Sequence, residues 1–300
     1  MTQVTVQNVK TQFVTTRDGI QLAYRIIGPS TGVPLLFLMH FRGTIDHWDP
    51  LLIDNFTKHR QVILFDNAGV GHSSGPVDDN INAMAAHIIE FLELLQIKEV
   101  DVLGFNLGGV VAPLIGLNGR PGLVRKLILA GTTATAGPGL EAGRTDEGVH
   151  KHAFGPVPDL DNFQSLFFEP TETSQAAGRR WWDRIHERNK ESSGEERKGY
   201  VSEGMMDGGA GMMASIAALT KAGDVANAAE GTYNRLADIK IPVLVAQGHR
   251  DIMVPTVNSF QVSQKLPNAW LLIYPDSGHG FMFQHPEEFV KQANAFLDEW

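Results

Sequence analysis

The 300-residue chain has no cysteine, so it can form neither a disulfide framework nor a thiolate zinc site, and its composition says nothing about redox surroundings. It also lacks any apolar run approaching the ~20 residues that span a bilayer, and Met1 to Lys10 is polar. Neither secretion nor membrane insertion is expected, and the reading is a soluble, cytoplasmic protein. Positive charge is in deficit: 25 Lys and Arg stand against 34 Asp and Glu, a net charge of -9. The resulting field repels polyanions, so nucleic acid and anionic membranes are not expected partners. A small neutral or apolar substrate fits better. The composition does not decide for or against a homo-oligomer.

What is present is an apolar fraction of 43% in a length that suits one domain carrying a large insertion. Gln12 to Gly28 reads as a hairpin, with Arg17-Asp18-Gly19 at its turn. Pro34 to Met39 and Gln61 to Phe65 are continuous apolar runs, the pattern of strands buried on both faces. Helical spacing follows over Ile81 to Leu95, then a strand over Val100 to Leu103 running into a glycine-rich turn. Further strands are predicted at Leu127 to Ala130, Ile241 to Ala246 and Trp270 to Tyr274, with a closing helix from Pro286 to about Leu297. Alternating strands and helices predict a doubly wound, mostly parallel α/β sheet. Residues 135–237 break the alternation with helical patterns at Asp161 to Phe168, Thr173 to Lys190 and Ala210 to Ala222, and are expected to form a helical cap. The core would then be 1–134 and 238–300. The charged stretch Arg184 to Lys198 reads as a solvated helix face and loop.

Gly104-Phe105-Asn106-Leu107-Gly108-Gly109 leaves a predicted strand and opens a helix, the setting of the strained elbow written G-x-S-x-G. Asp251 follows in Gly248-His249-Arg250-Asp251, and His279 in Asp276-Ser277-Gly278-His279-Gly280. This order, and the loop Asp66-Asn67-Ala68-Gly69-Val70-Gly71-His72, resembles the α/β-hydrolase superfamily at both ends of the chain, with asparagine where the serine branch has its nucleophile. The resemblance implies the α/β-hydrolase fold and a site of Asn106, Asp251 and His279. It also implies an oxyanion hole from the Leu107 N–H and one N–H of His40-Phe41-Arg42-Gly43: Arg42 by alignment, with Phe41 the neighbouring alternative. No cofactor and no metal are implied, and Asp66 and His72 are assigned no catalysis.

An asparagine amide nitrogen is delocalised into its carbonyl and cannot replace a serine hydroxyl as nucleophile, although asparagine tolerates left-handed backbone. Three readings stay open. The chain is an inactivated serine ester or lactone hydrolase, by engineering or in nature; or an altered aspartate-type enzyme, against which Phe105 and Leu107-Gly108-Gly109 argue; or a non-covalent enzyme. In the third, His279 oriented by Asp251 acts as general base and Asn106 helps bind a carbonyl or enolate oxygen, serving lyase, isomerase, cyclase or oxygenase chemistry on a small apolar carbonyl compound. A small-molecule receptor is the non-enzymatic alternative.

Candidate pocket residues are Phe105, Trp181 and Trp182, with Phe167-Phe168, Met205-Met206 and Met212-Met213 as a wider set in which core packing competes for each member. His150 and His152 lie in a glycine-rich stretch without partners at metal spacing and are read as solvated loop residues, while His285 is placed at the start of the final helix. Asp251 is also suited to capping the backbone that follows it.

Overall fold

In the computed structural model, which describes residues 4–299, two apolar faces are sorted along each central strand. The strands are β1 (Gln12–Thr15), β2 (Gln21–Ile27), β3 (Leu35–Leu38), β4 (Val62–Phe65), β5 (Val100–Phe105), β6 (Val124–Ala130), β7 (Val243–Gly248) and β8 (Ala269–Tyr274). Leu35, Phe37, Leu103, Phe105, Ile128 and Leu244 point to one core, and Leu36, Leu38, Val100, Val102, Leu127 and Val243 to the other. This period of two, with both sides apolar, explains why the strands read as unbroken hydrophobic runs.

The strands form a single eight-stranded sheet in the order β1-β2-β4-β3-β5-β6-β7-β8. Only the β1–β2 and β2–β4 pairings are antiparallel. The hairpin turn falls at the expected Asp18-Gly19, where Gly19 has φ 89. Helices α1 (Pro50–Phe56), α2 (Ile81–Leu94) and α3 (Leu107–Asn118) follow the first parallel strands, and α4 (Glu147–Phe154), α5 (Leu160–Phe167), α6 (Glu172–Ile185), α7 (Lys190–Ser193) and α8 (Ala210–Gly223) lie between β6 and β7. The last three are α9 (Thr256–Lys265), α10 (Phe281–Gln284) and α11 (Pro286–Glu299). One core packs under α1 and α11 through Leu52, Phe56, Phe289 and Phe296, and the other under α2 and α3 through Ile88, Phe91, Leu114 and Ile115. This is the doubly wound α/β sheet that the alternation predicts.

Between β6 and β7 the described residues contain no strand. The helix expected over Thr173 to Lys190 stops at Ile185, and a separate turn of helix occupies Lys190–Ser193. Most of Arg184 to Lys198 is exposed, as a solvated face and loop would be, but Arg184 and Arg188 depart from that reading. Arg188 is 3% exposed and bonds to the Val6 carbonyl at 2.8 Å and to the buried carboxylate of Asp46 at 3.2 Å. Asp46 also receives Arg25 at 2.6 Å, and Arg184 reaches buried Asp49 at 2.7 Å. The charged run clamps the helical segment to the sheet: its partners lie more than a hundred residues away, where local charge patterning gives no signal. Among the described residues no helix is long and apolar enough to cross a membrane.

Candidate active site

Strand β5 runs two residues further than its apolar pattern suggests and ends one residue before Asn106, whose φ of 53 and ψ of -114 make the turn into α3. A side chain on Gly104 would strike the Gly108 carbonyl, and one on Gly108 would strike Leu38, so both glycines are required by the approach of helix to strand. The Asn106 backbone is held by its N–H to the Ala130 carbonyl at 3.1 Å and by the Thr132 hydroxyl, which donates to its carbonyl at 2.7 Å. Its side-chain Oδ1 accepts the Phe41 N–H at 3.1 Å. Because that partner is a donor, the carboxamide must present oxygen to the loop, which leaves its NH2 group without a hydrogen-bond partner among the described residues on a residue that lines the cavity. The Leu107 N–H, at the N-terminus of α3, has no hydrogen-bond partner among the described residues.

Asp251 follows β7 and His279 follows β8, and the two meet as expected. His279 Nδ1 lies 2.6 Å from Asp251 Oδ2, both side chains being buried. Gln247 Nε2 donates to the same oxygen at 2.7 Å, and the N–H groups of Met253 and Val254 donate to Oδ1 at 2.8 and 2.9 Å. Asp251 therefore does both things the sequence allows, capping the following turn with one oxygen and orienting His279 with the other. The Asp251 carboxylate holds a proton on Nδ1 and leaves Nε2 as the basic nitrogen. Phe105 supports the ring from beneath at 4.9 Å between centroids and touches His40 at 5.6 Å. His40 is kept neutral: burial lowers its pKa to about 4, its bond to the Phe41 carbonyl acts the other way, and the His279 charge adds to the lowering.

A small cavity, of about 50 Å³, opens over Asn106 and His279. Its upper wall is Phe163, Leu166 and Phe167, one face of α5 at helical spacing, joined by His152, Asn162, Tyr200 and Met253. Of the expected pocket residues, Phe105, Trp181 and Trp182 are not on this wall. Phe105 and Trp181 are fully buried behind it, Trp181 stacked on Phe283 at 5.2 Å, and Trp182 packs behind Phe163. Phe167 from the wider set is a wall residue, whereas Met206 and Met213 face solvent. His150 and His152 lie on α4 instead of a solvated loop, and His152 reaches the cavity with a 2.9 Å contact to Asn162. Of the two oxyanion candidates after β3, Phe41 directs its N–H at Asn106, while Arg42 lines the cavity and its N–H has no hydrogen-bond partner among the described residues. Tyr200 carried no local signal in the sequence; the fold brings it in from the end of the charged run. Among the described residues no group of three or more His, Asp or Glu side chains gathers as metal ligands would.

An elbow residue at positive φ, a histidine–carboxylate pair from the ends of the last two strands and an apolar cavity above them define the class. The chain belongs to the α/β hydrolase fold family, whose sequence model matches residues 33–286, and is an enzyme of that superfamily. It is 33% identical to an α/β hydrolase fold protein from Chitinophaga pinensis, whose structure superposes with a TM-score of 0.83 over 99% of this chain and 100% of that one. Among curated proteins it is 27% identical to the non-heme chloroperoxidase of Streptomyces lividans, over 95% of this chain and 98% of the relative. It is also 27% identical to the 2-hydroxymuconate semialdehyde hydrolase of Pseudomonas putida, over 89% of this chain and 88% of the relative.

Proposed function

We propose that this enzyme acts on a small, mostly apolar carbonyl compound by non-covalent acid–base chemistry, with Asn106 at the position that holds the nucleophile in the serine branch. The observation that carries the reading is the fixed Asn106 carboxamide at the cavity lining, with Oδ1 on the Phe41 N–H and its NH2 without a hydrogen-bond partner among the described residues. In this reading His279 Nε2 removes a proton from carbon or oxygen next to the substrate carbonyl, and the imidazolium is stabilised by Asp251. The developing oxyanion takes hydrogen bonds from the Asn106 NH2 and the Leu107 N–H. General base action supplies roughly 10²- to 10⁴-fold and one oriented donor roughly 10²- to 10³-fold, enough for lyase, isomerase, cyclase or oxygenase chemistry.

A second reading draws on the same bond. Asn106 Oδ1 occupies the Phe41 N–H that would otherwise face an oxyanion, which suits a serine ester or lactone hydrolase disabled at position 106.

The test is proton exchange at the α-carbon of aryl methyl ketones in D₂O, followed by proton NMR. The first reading expects exchange catalysed by the protein and lost in His279→Ala; exchange equal in the two proteins, or absent from both, contradicts it.

A further inference from the structure

Arg42 is a buried cation without a buried anion. It is 4% exposed; its Nε donates to the Val201 carbonyl at 3.1 Å, and its Nη1 to the carbonyls of Ala153 and Gly155 at 3.3 and 2.8 Å. Nη2 is buried with no hydrogen-bond partner. Carbonyl groups position the guanidinium but do not neutralise it, and a buried charge without a counter-ion is costly. The acidic groups that act on it are Tyr200, Glu203 and Asp207. Glu203 is exposed, and the Asp207 carboxylate is already taken by the Ser202 hydroxyl and the N–H groups of Gly209 and Gly211. The backbone is also strained to put this side chain in place, since Arg42 has φ 63, a region few residues other than glycine adopt.

The same cavity wall carries Tyr200, whose buried hydroxyl has the Arg197 guanidinium as its neighbour and keeps its own proton free to donate. Its ring is fixed against His47 at 3.9 Å and Phe163 at 5.4 Å between centroids. A guanidinium edge and a phenol hydroxyl are both donors, and a carboxylate is the acceptor that matches them in charge and hydrogen-bonding sense.

We infer that Arg42 and Tyr200 form an anion subsite, so that the substrate is an apolar carbonyl compound bearing a carboxylate, with its charged end on this pair. The inference rests on the preceding reading for the carbonyl at Asn106 and revises the neutral substrate suggested by net charge: a local cation outweighs a diffuse negative field at contact distance.

Salicylate, benzoate and phenylacetate are titrated calorimetrically into the full-length protein beside the matching amides. The acids are expected to bind at least about tenfold more tightly, the scale of a charge-assisted hydrogen bond. The preference should vanish in Arg42→Met and shrink in Tyr200→Phe, which keeps the ring contacts and serves if the first variant fails to fold. Equal affinity for acids and amides, no binding of any acid, or a preference surviving in both variants overturns the subsite. Binding needs no turnover. An intact acid preference with no proton exchange therefore contradicts only the preceding reading, and exchange without acid preference contradicts only this one.

Discussion

The backbone N–H of Phe41 donates to the side-chain oxygen of Asn106 across 3.1 Å, joining the loop after β3 to the turn after β5. Asparagine thus meets two demands at one position, a positive φ and a partner for the part-buried Phe41 N–H. Asn106→Ala loses both and is expected to cost about 1–2 kcal/mol in equilibrium urea denaturation. Asn106→Gly keeps the backbone freedom and should cost less. An alanine variant as stable as the parent would contradict the account.

Asp251 fixes the tautomer of His279 through the 2.6 Å contact. Asp251→Asn keeps the shape of the side chain but removes the charge that stabilises the imidazolium, so α-proton exchange should fall by about 10³-fold or more. The strongly downfield Nδ1 proton resonance expected of His279 should disappear from the NMR spectrum in parallel. If exchange falls while that resonance stays, the loss has another cause.

Much of this site was legible because its parts sit at strand ends with local signatures. The glycines around Asn106, the carboxylate of Asp251 and the Ser277-Gly278-His279-Gly280 turn each mark a place where backbone geometry restricts residue choice. The cavity wall was less legible. Trp181 and Phe163 are equally apolar in sequence, and which faces the cavity depends on how α5 and α6 are rotated against the sheet. The bond from the Phe41 N–H to Asn106, and the contacts of Tyr200 and Arg188, run across the fold, where no local pattern encodes them.

Asp46 is the anchor of the clamp between helical segment and sheet. Burial works against its ionisation, but the hydrogen bond from His72 and the Arg25 charge outweigh this and hold its carboxyl far below the usual carboxylate range. A depressed carboxylate contributes stability above its unfolded pKa, near 4, and that contribution is lost as pH falls below it. Asp46→Ala leaves Arg25 and Arg188 buried with Glu195 as their one remaining carboxylate among the described residues, an expected loss of about 3 kcal/mol at neutral pH. Urea midpoints of parent and variant should converge as the medium is acidified. A constant difference would contradict the assignment.

His40 carries the opposite charge type with the same direction of pH dependence. Its folded pKa of about 4, lowered mainly by burial, lies beneath the 6.5 of the unfolded chain. Between these values the unfolded state binds more protons, so stability is present above pH 6.5 and drains away as pH falls toward 4, by roughly 3 kcal/mol. In His40→Gln this part of the pH dependence should be missing from denaturation curves taken across that window. A variant with the parent's full slope would assign the effect to other groups.

In the proposed function, asparagine at the nucleophile position 106 makes the chemistry non-covalent. The most direct measurement is intact mass after treatment with an active-serine phosphonate, comparing the protein with Asn106→Ser. The account predicts an unchanged mass for the parent and a single phosphonyl group on residue 106 of the variant. Labelling of the parent within the site, or no labelling of the serine variant, would contradict it.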